Sequence, residues 1–261
     1  MSPTPILGLL LLLSLALSPG CSGEETEVAP DSVVPRLRDL LHDPSPDVRR
    51  TAAASLGKIG RPEAAPALVE ALTDPDALVR QHSAWALGNL DDVGNDHLEE
   101  IGVALVERLE DPSPGVREAA AQALGMLGGT QVIVELLTEA LRKPGVETRR
   151  AAVQALTWLE PPSAYGALVA ALHDADAAVR QGAVAALGEL ADPRALVPLR
   201  NRLMKDADAG VRSEAAFRLG KFGDQSVVPT LQNAAAADRD PDVRRWATWA
   251  LSSITESGSQ R

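Results

Sequence analysis

Asp111 to Gly128 reads DPSPGVREAAAQALGMLG, and this stretch decides the fold. It opens on a turn, Asp111-Pro112. Ser113 follows at a position suited to capping a helix, and Pro114 takes a first helical position, where a missing N–H costs nothing. From Val116 the apolar residues Val116, Ala120, Leu124 and Leu127 are spaced by four, four and three, which draws one face of a helix.

The phrase returns along the chain, marked by Val48-Arg49, Val79-Arg80, Val116-Arg117, Thr148-Arg149, Val179-Arg180, Val211-Arg212 and Val243-Arg244. The arginines stand 31, 37, 32, 31, 32 and 32 residues apart. A fixed period of this size predicts a solenoid, in which each unit buries its apolar side only by stacking on its neighbours. Residues 61–90 show the unit: a first helix from Ala64 to Thr73, a break at Asp74-Pro75-Asp76, and a second helix from Ala77 to Leu90. The turn carries Asp43, Asp74, Asp111, Lys143, Asp174, Asp206 or Asp238. Two residues on stand Ser45, Asp76, Ser113, Gly145, Asp176, Asp208 and Asp240, most of them good N-caps. The buried stripe of the first copy is read as Val48, Ala52, Leu56 and Ile59.

A glycine follows the stripe leucine at Gly57, Gly88, Gly125, Gly188 and Gly220. Glycine inside a helix costs about 1 kcal/mol against alanine. Its recurrence therefore predicts a close approach of neighbouring helices. The segment Asp91 to Gly102 is the one irregularity; it adds about six residues between the second and third copies and is expected to lengthen a loop or helix at the edge.

Composition agrees with stacked helices. Hydrophobic residues make up 45% of the 261, but aromatics only 3%. Alanine and leucine dominate, where a sheet protein would want more β-branched and aromatic side chains. The formal net charge of −11 repels phosphate backbones and argues against nucleic acid as a partner. One cysteine excludes an intrachain disulfide framework.

The first twenty residues read differently. Ile6 to Leu17 (ILGLLLLLSLAL) is an apolar run too short for a bilayer span, which needs about 20 residues, and of the length of a secretory signal core. The only cysteine, Cys21, follows it directly behind Ser18-Pro19-Gly20. This resembles a bacterial lipoprotein signal, although no Lys or Arg precedes the run. That resemblance implies cleavage after residue 20 and acylation of Cys21. Ser22 in place of aspartate implies the outer membrane, facing the periplasm. Residues 21–30 then form a lipidated, acidic tether, with too little apolar content to fold. The solenoid is expected over 31–255 and a flexible tail over 256–261.

The phrase D-P-x-x-x-V-R-x-x-A-A-x-A-L-G-x-L-G resembles the short HEAT-like repeat first associated with phycobilisome lyases, over about residues 33–255. The resemblance implies an all-α, right-handed α-α superhelix of about seven helical hairpins. It also implies that Arg49, Arg80, Arg117, Arg149, Arg180, Arg212 and Arg244 pair with acidic turn residues of an adjacent repeat. Lys143 and Thr148 fall in one copy, so the fourth repeat is expected to be the loosest join. In such solenoids the second helices line the concave surface. Counting from the repeat valine, positions three, six and ten point away from the stripe. They include His82, Trp85, Trp158, Phe217, Trp246 and Trp249, and so all four tryptophans of the chain. Tryptophan is enriched in binding hot spots. Two readings stay open for Trp246 and Trp249: a partner surface, or a cap on the open end of the stack.

The expected function is a non-enzymatic scaffold, held to a membrane by lipid and offering that surface to another protein. A small-ligand or cell-wall-associated binding protein, using a groove around Trp85 and Trp158, is the alternative. Enzymes with similar repeats set two further tests. Deoxyhypusine hydroxylase holds its irons with His-Glu pairs, and this chain contains no His-Glu dipeptide. Bilin lyases work in the cytoplasm of phototrophs, which conflicts with a secretory signal, so a lyase-like activity is the weakest alternative. No metal, cofactor or catalytic constellation is expected.

Overall fold

The computed structural model describes residues 33–128 and 130–258. The expected signal segment, Cys21, the tether and the end of the tail lie outside the described residues. Fourteen helices pair into seven hairpins, and no strand occurs among the described residues. The first helices are α1 (Val33–Leu40), α3 (Ala65–Ala71), α5 (Asn95–Arg108), α7 (Gln131–Ala140), α9 (Tyr165–Ala171), α11 (Leu196–Lys205) and α13 (Val228–Ala237). The second helices are α2 (Pro46–Ile59), α4 (Ala77–Gly88), α6 (Pro114–Met126), α8 (Val146–Leu159), α10 (Ala177–Glu189), α12 (Ala209–Phe222) and α14 (Pro241–Gly258). Each second helix packs on the next, α2 on α4 through to α12 on α14. The extra residues of the third copy go largely into α5, twice as long as α3.

The core is a ladder rather than a centre. Leu56, Leu87, Leu124, Leu156, Leu187 and Leu219 occupy one position of successive second helices and are all fully buried. Leu68, Leu105, Leu137, Leu168, Leu199 and Leu231 answer them from the first helices. Each such side chain contributes about 1.5–3 kcal/mol of burial, and each is covered partly by its neighbouring repeats. Ile59 departs from its expected place in the stripe. It is 38% exposed, and its counterparts Leu127, Leu159 and Leu190 are only partly buried, so this position lies at the edge of the stripe.

The recurrent glycines set how closely the second helices approach. A Cβ on Gly57 would lie 2.7 Å from the Ala86 Cα, on Gly88 2.7 Å from the Ala123 Cα, and on Gly220 2.8 Å from the Ala250 Cα. Gly125 and Gly188 instead receive large side chains, Trp158 and Arg218.

The turns are locked by one repeated device. Oδ1 of Asp43, Asp74, Asp111, Asp174, Asp206 and Asp238 accepts the backbone N–H two residues on. The recurrent arginine of the same repeat donates Nη1 to the carbonyl of that turn residue, at 2.8–3.2 Å in all seven copies. Asp76, Asp176, Asp208 and Asp240 then cap the second helices through their carboxylates. Ser45 and Ser113 hold the capping position with extended backbone but make no side-chain cap bond, contrary to the expectation for those two.

Candidate functional site: the second-helix face

Joints between repeats come first, because they fix the geometry of the exposed face. Arg49 donates Nε and Nη2 to both carboxylate oxygens of Asp74, at 2.6 and 2.9 Å. Arg80 does the same to Asp111, Arg149 to Asp174, Arg180 to Asp206 and Arg212 to Asp238. A planar guanidinium fork matches a carboxylate in this way, and the charge-assisted pair is stronger than a neutral one. Burial pushes the carboxyls of Asp74, Asp111, Asp206 and Asp238 up. The arginine bonds and the backbone N–H outweigh it and hold all four below the usual value of 3.8. For Asp174 the bond from Arg149 is the largest influence and acts in the same direction.

The third-to-fourth joint lacks this clamp. Lys143 stands where the aspartate would be, and Arg117 keeps an ion pair with Glu147 at 4.0 Å. Arg244, in the seventh repeat, donates Nη1 to the Asp238 and Arg239 carbonyls of its own turn. A second clamp, missed from the sequence, strengthens the fourth-to-fifth joint. Arg150 donates to both oxygens of Asp176, and these bonds bring that carboxyl down to about 2. The doubled arginine did not signal it, since Arg50 and Arg245, the second arginines of like pairs, bond Asp47 and Asp242 on their own helices.

On the face itself the six expected partner residues fall into three places. His82 and Trp85 of α4 line a groove of about 520 Å³, with Lys58 of α2 and Glu118 and Gln122 of α6. His82 Nδ1 lies 2.7 Å from the Leu78 carbonyl oxygen. A carbonyl only accepts, so Nδ1 carries the proton in this contact. Trp85 is half-buried because its ring lies over Gly57.

Trp158, on α8, is not a wall of that groove. It is 46% exposed, and its ring lies across the unclamped joint, with Cε3 3.1 Å from the place of a Gly125 Cβ. Trp158 does not line the groove at Trp85, because the whole third repeat stands between them. Phe217, Trp246 and Trp249 form the third place, an aromatic cluster between α12 and α14. Both tryptophans touch α12, through Phe217 and beside Gly220, and Trp246 also packs against the core. Arg218, which sequence reasoning passed over, donates Nε to Glu214 at 2.6 Å and Nη1 to Glu189. Its signal was legible: an arginine where Ala86, Ala123, Ala155, Ala186 and Ala250 stand in other copies.

No group of histidine, cysteine or carboxylate side chains able to hold a metal ion occurs among the described residues. No helix among them is long and apolar enough to cross a membrane.

A sequence profile described as HEAT repeats matches residues 25–88, 99–156, 134–216 and 196–261. The chain belongs to the HEAT-repeat family. A bilin biosynthesis protein, PecE of Nostoc sp., is 40% identical over 79 residues, which is 29% of this chain and 31% of that protein. The chain thus spans about a third of the length of that relative. Among solved structures, the archaeal HEAT-like repeat protein of Thermococcus onnurineus NA1 covers 85% of this chain at 16% identity and a TM-score of 0.56, with 97% of that chain matched. The Kap95:Nup1 complex covers 87% at 14% identity and a TM-score of 0.65, with 36% of that chain matched. These two likenesses are of fold alone. A HEAT-repeat protein of this kind is a helical repeat scaffold, with its second helices side by side and their outer positions open.

Proposed function

We propose that this HEAT-repeat chain is a non-catalytic adaptor that docks another protein on its second-helix face and is held to a bacterial envelope membrane through lipid on Cys21. The observation that carries the docking reading is the run of large aromatics on that face, half-buried or exposed, where a core would have hidden them. Such side chains bury much area on binding at low entropic cost. The lipid reading rests on the apolar run ending at Cys21, and the outer membrane on Ser22.

A photo-crosslinking residue at position 82 tests the docking. It should join the scaffold to one reproducible partner, and the same probe at Val197, exposed on α11, should not. Trp85→Ala should reduce the position-82 product without moving the melting temperature by more than a few degrees. Equal products from both probe positions refute the docking face. Acyl labelling of wild type against Cys21→Ser tests the anchor, and equal labelling removes it.

One observation favours a second reading. The chain has both a 79-residue match to PecE and a groove of about 520 Å³, within the range of small-molecule sites. Under that reading the His82 groove binds a bilin-like tetrapyrrole, as a ligand or as the substrate of a lyase-like enzyme. Titration with a linear tetrapyrrole, followed by visible absorption, decides it: a saturable change lost in Trp85→Ala supports it, and an unchanged spectrum removes it.

A further inference from the structure

Three rings and several carboxylates meet at the C-terminal end of the second-helix face. Phe217 and Trp249 stack with centroids 5.1 Å apart and planes at 28°. Trp246 stands edge-on to both, at 5.3 and 5.7 Å. The cluster forms because Gly220 lets α14 close on α12, which brings position six of one repeat against positions three and six of the next. Beside it runs a groove of about 410 Å³, whose walls include Ser213, Glu214, Phe217, Asp240, Asp242 and Trp246.

The face of an aromatic ring attracts a cation placed within about 6 Å of its centre. One such contact is already built in: the Arg218 guanidinium lies 5.2 Å from the Phe217 centroid. That charge is matched twice over, by Glu214 and Glu189. Asp240 gives only Oδ1 to the N–H groups of Asp242 and Val243, so Oδ2 can accept another donor. Asp242 pairs with Arg245 at 3.1 Å, and both are mostly exposed, which makes that pair weak. Four carboxylates thus surround two guanidiniums beside three rings. The groove at His82 differs, with Lys58 balancing Glu118 and one indole, that of Trp85.

We infer that this acidic, aromatic groove receives a lysine or arginine side chain from a basic segment of a protein partner. The inference rests on the docking reading above and names the chemistry of the partner. The chain's own N-terminal segment is a poor occupant, since Glu24, Glu25 and Glu27 give it the same sign as the groove.

The test uses the full chain carrying Trp85→Phe and Trp158→Phe, so that indole fluorescence comes from Trp246 and Trp249 alone. A blocked tri-arginine or tri-lysine peptide should give a saturable change, weakened by added salt. Asp242→Lys, at an exposed site, should weaken it at least tenfold, as should Trp246→Leu, with circular dichroism showing that the helices persist. The inference fails if tri-glutamate acts equally, if Asp242→Lys leaves the affinity unchanged, or if no saturable change appears. It also fails if tetramethylammonium saturates the signal and the peptides do not, which assigns the groove to a small cation. Failure here leaves crosslinking at position 82 untouched, so the two ideas fall separately.

Discussion

Two adjacent joints of this solenoid are built in opposite ways. Between the third and fourth repeats, Arg117 meets no aspartate, and the side chain of Trp158 bridges α8 to α6. Between the fourth and fifth, Arg149 and Arg150 each grip a carboxylate with both arms. Both joints bury the same leucine ladder, so apolar burial does not separate them. The difference lies in charge-assisted bonds whose geometry holds only at one relative placement of the hairpins. Stability in a stacked array is close to a sum of repeat and nearest-neighbour terms, so a weak joint divides the stack into two cooperative blocks.

Removing a clamp should have the largest effect. Asp206 accepts from Arg180 twice, from Arg202 and from the Asp208 N–H, and its side chain is 1% exposed. Asp206→Ala strands two guanidiniums and is expected to cost about 3 kcal/mol in a urea titration. A loss within error would show that the clamps decorate the joints rather than hold them. Gly88→Ala comes next, at about 2 kcal/mol, because the new methyl meets the Ala123 backbone, which cannot turn aside. Lys143→Asp should work in the other direction, completing the missing clamp and adding about 1 kcal/mol. No gain would mean that the third and fourth repeats are set too far apart for the fork to close. The smallest effect belongs to Arg150→Ala. That pair is partly exposed, so its loss should stay under about 1 kcal/mol despite the low pKa of Asp176.

Acid sharpens the same comparison. The clamp aspartates are held below their ordinary value of 3.8 in the fold. Their contribution is therefore complete above about pH 4 and disappears as the pH falls through the folded values. Melting temperature should be flat from pH 7 to about 5 and drop below 4. Lys143→Asp should steepen that drop, since it adds one more such carboxylate.

Much of this was legible in the sequence, for a physical reason. A repeat writes its structure many times, so the turn aspartate, the arginine and the stripe leucine each stand out above the noise of single positions. The substitution of Lys143 marked the weak joint for the same reason. What single copies contribute was harder to read. Ile59 fits the stripe pattern yet is exposed, because helical spacing marks a face without marking how far its edge is covered. The outer positions gathered six residues into one surface, yet helix spacing alone does not tell which repeats share a groove. Arg218 belongs to none of the outer positions three, six and ten. It stands at position seven and reaches the face by crossing Gly188.

Native-state hydrogen exchange on the full chain tests the joint-by-joint account most directly. The prediction is two levels of protection, one shared by α1 through α6 and another by α7 through α14, which merge into one in Lys143→Asp. A single level across all fourteen helices of the wild type, or a break at any clamped joint, would contradict it.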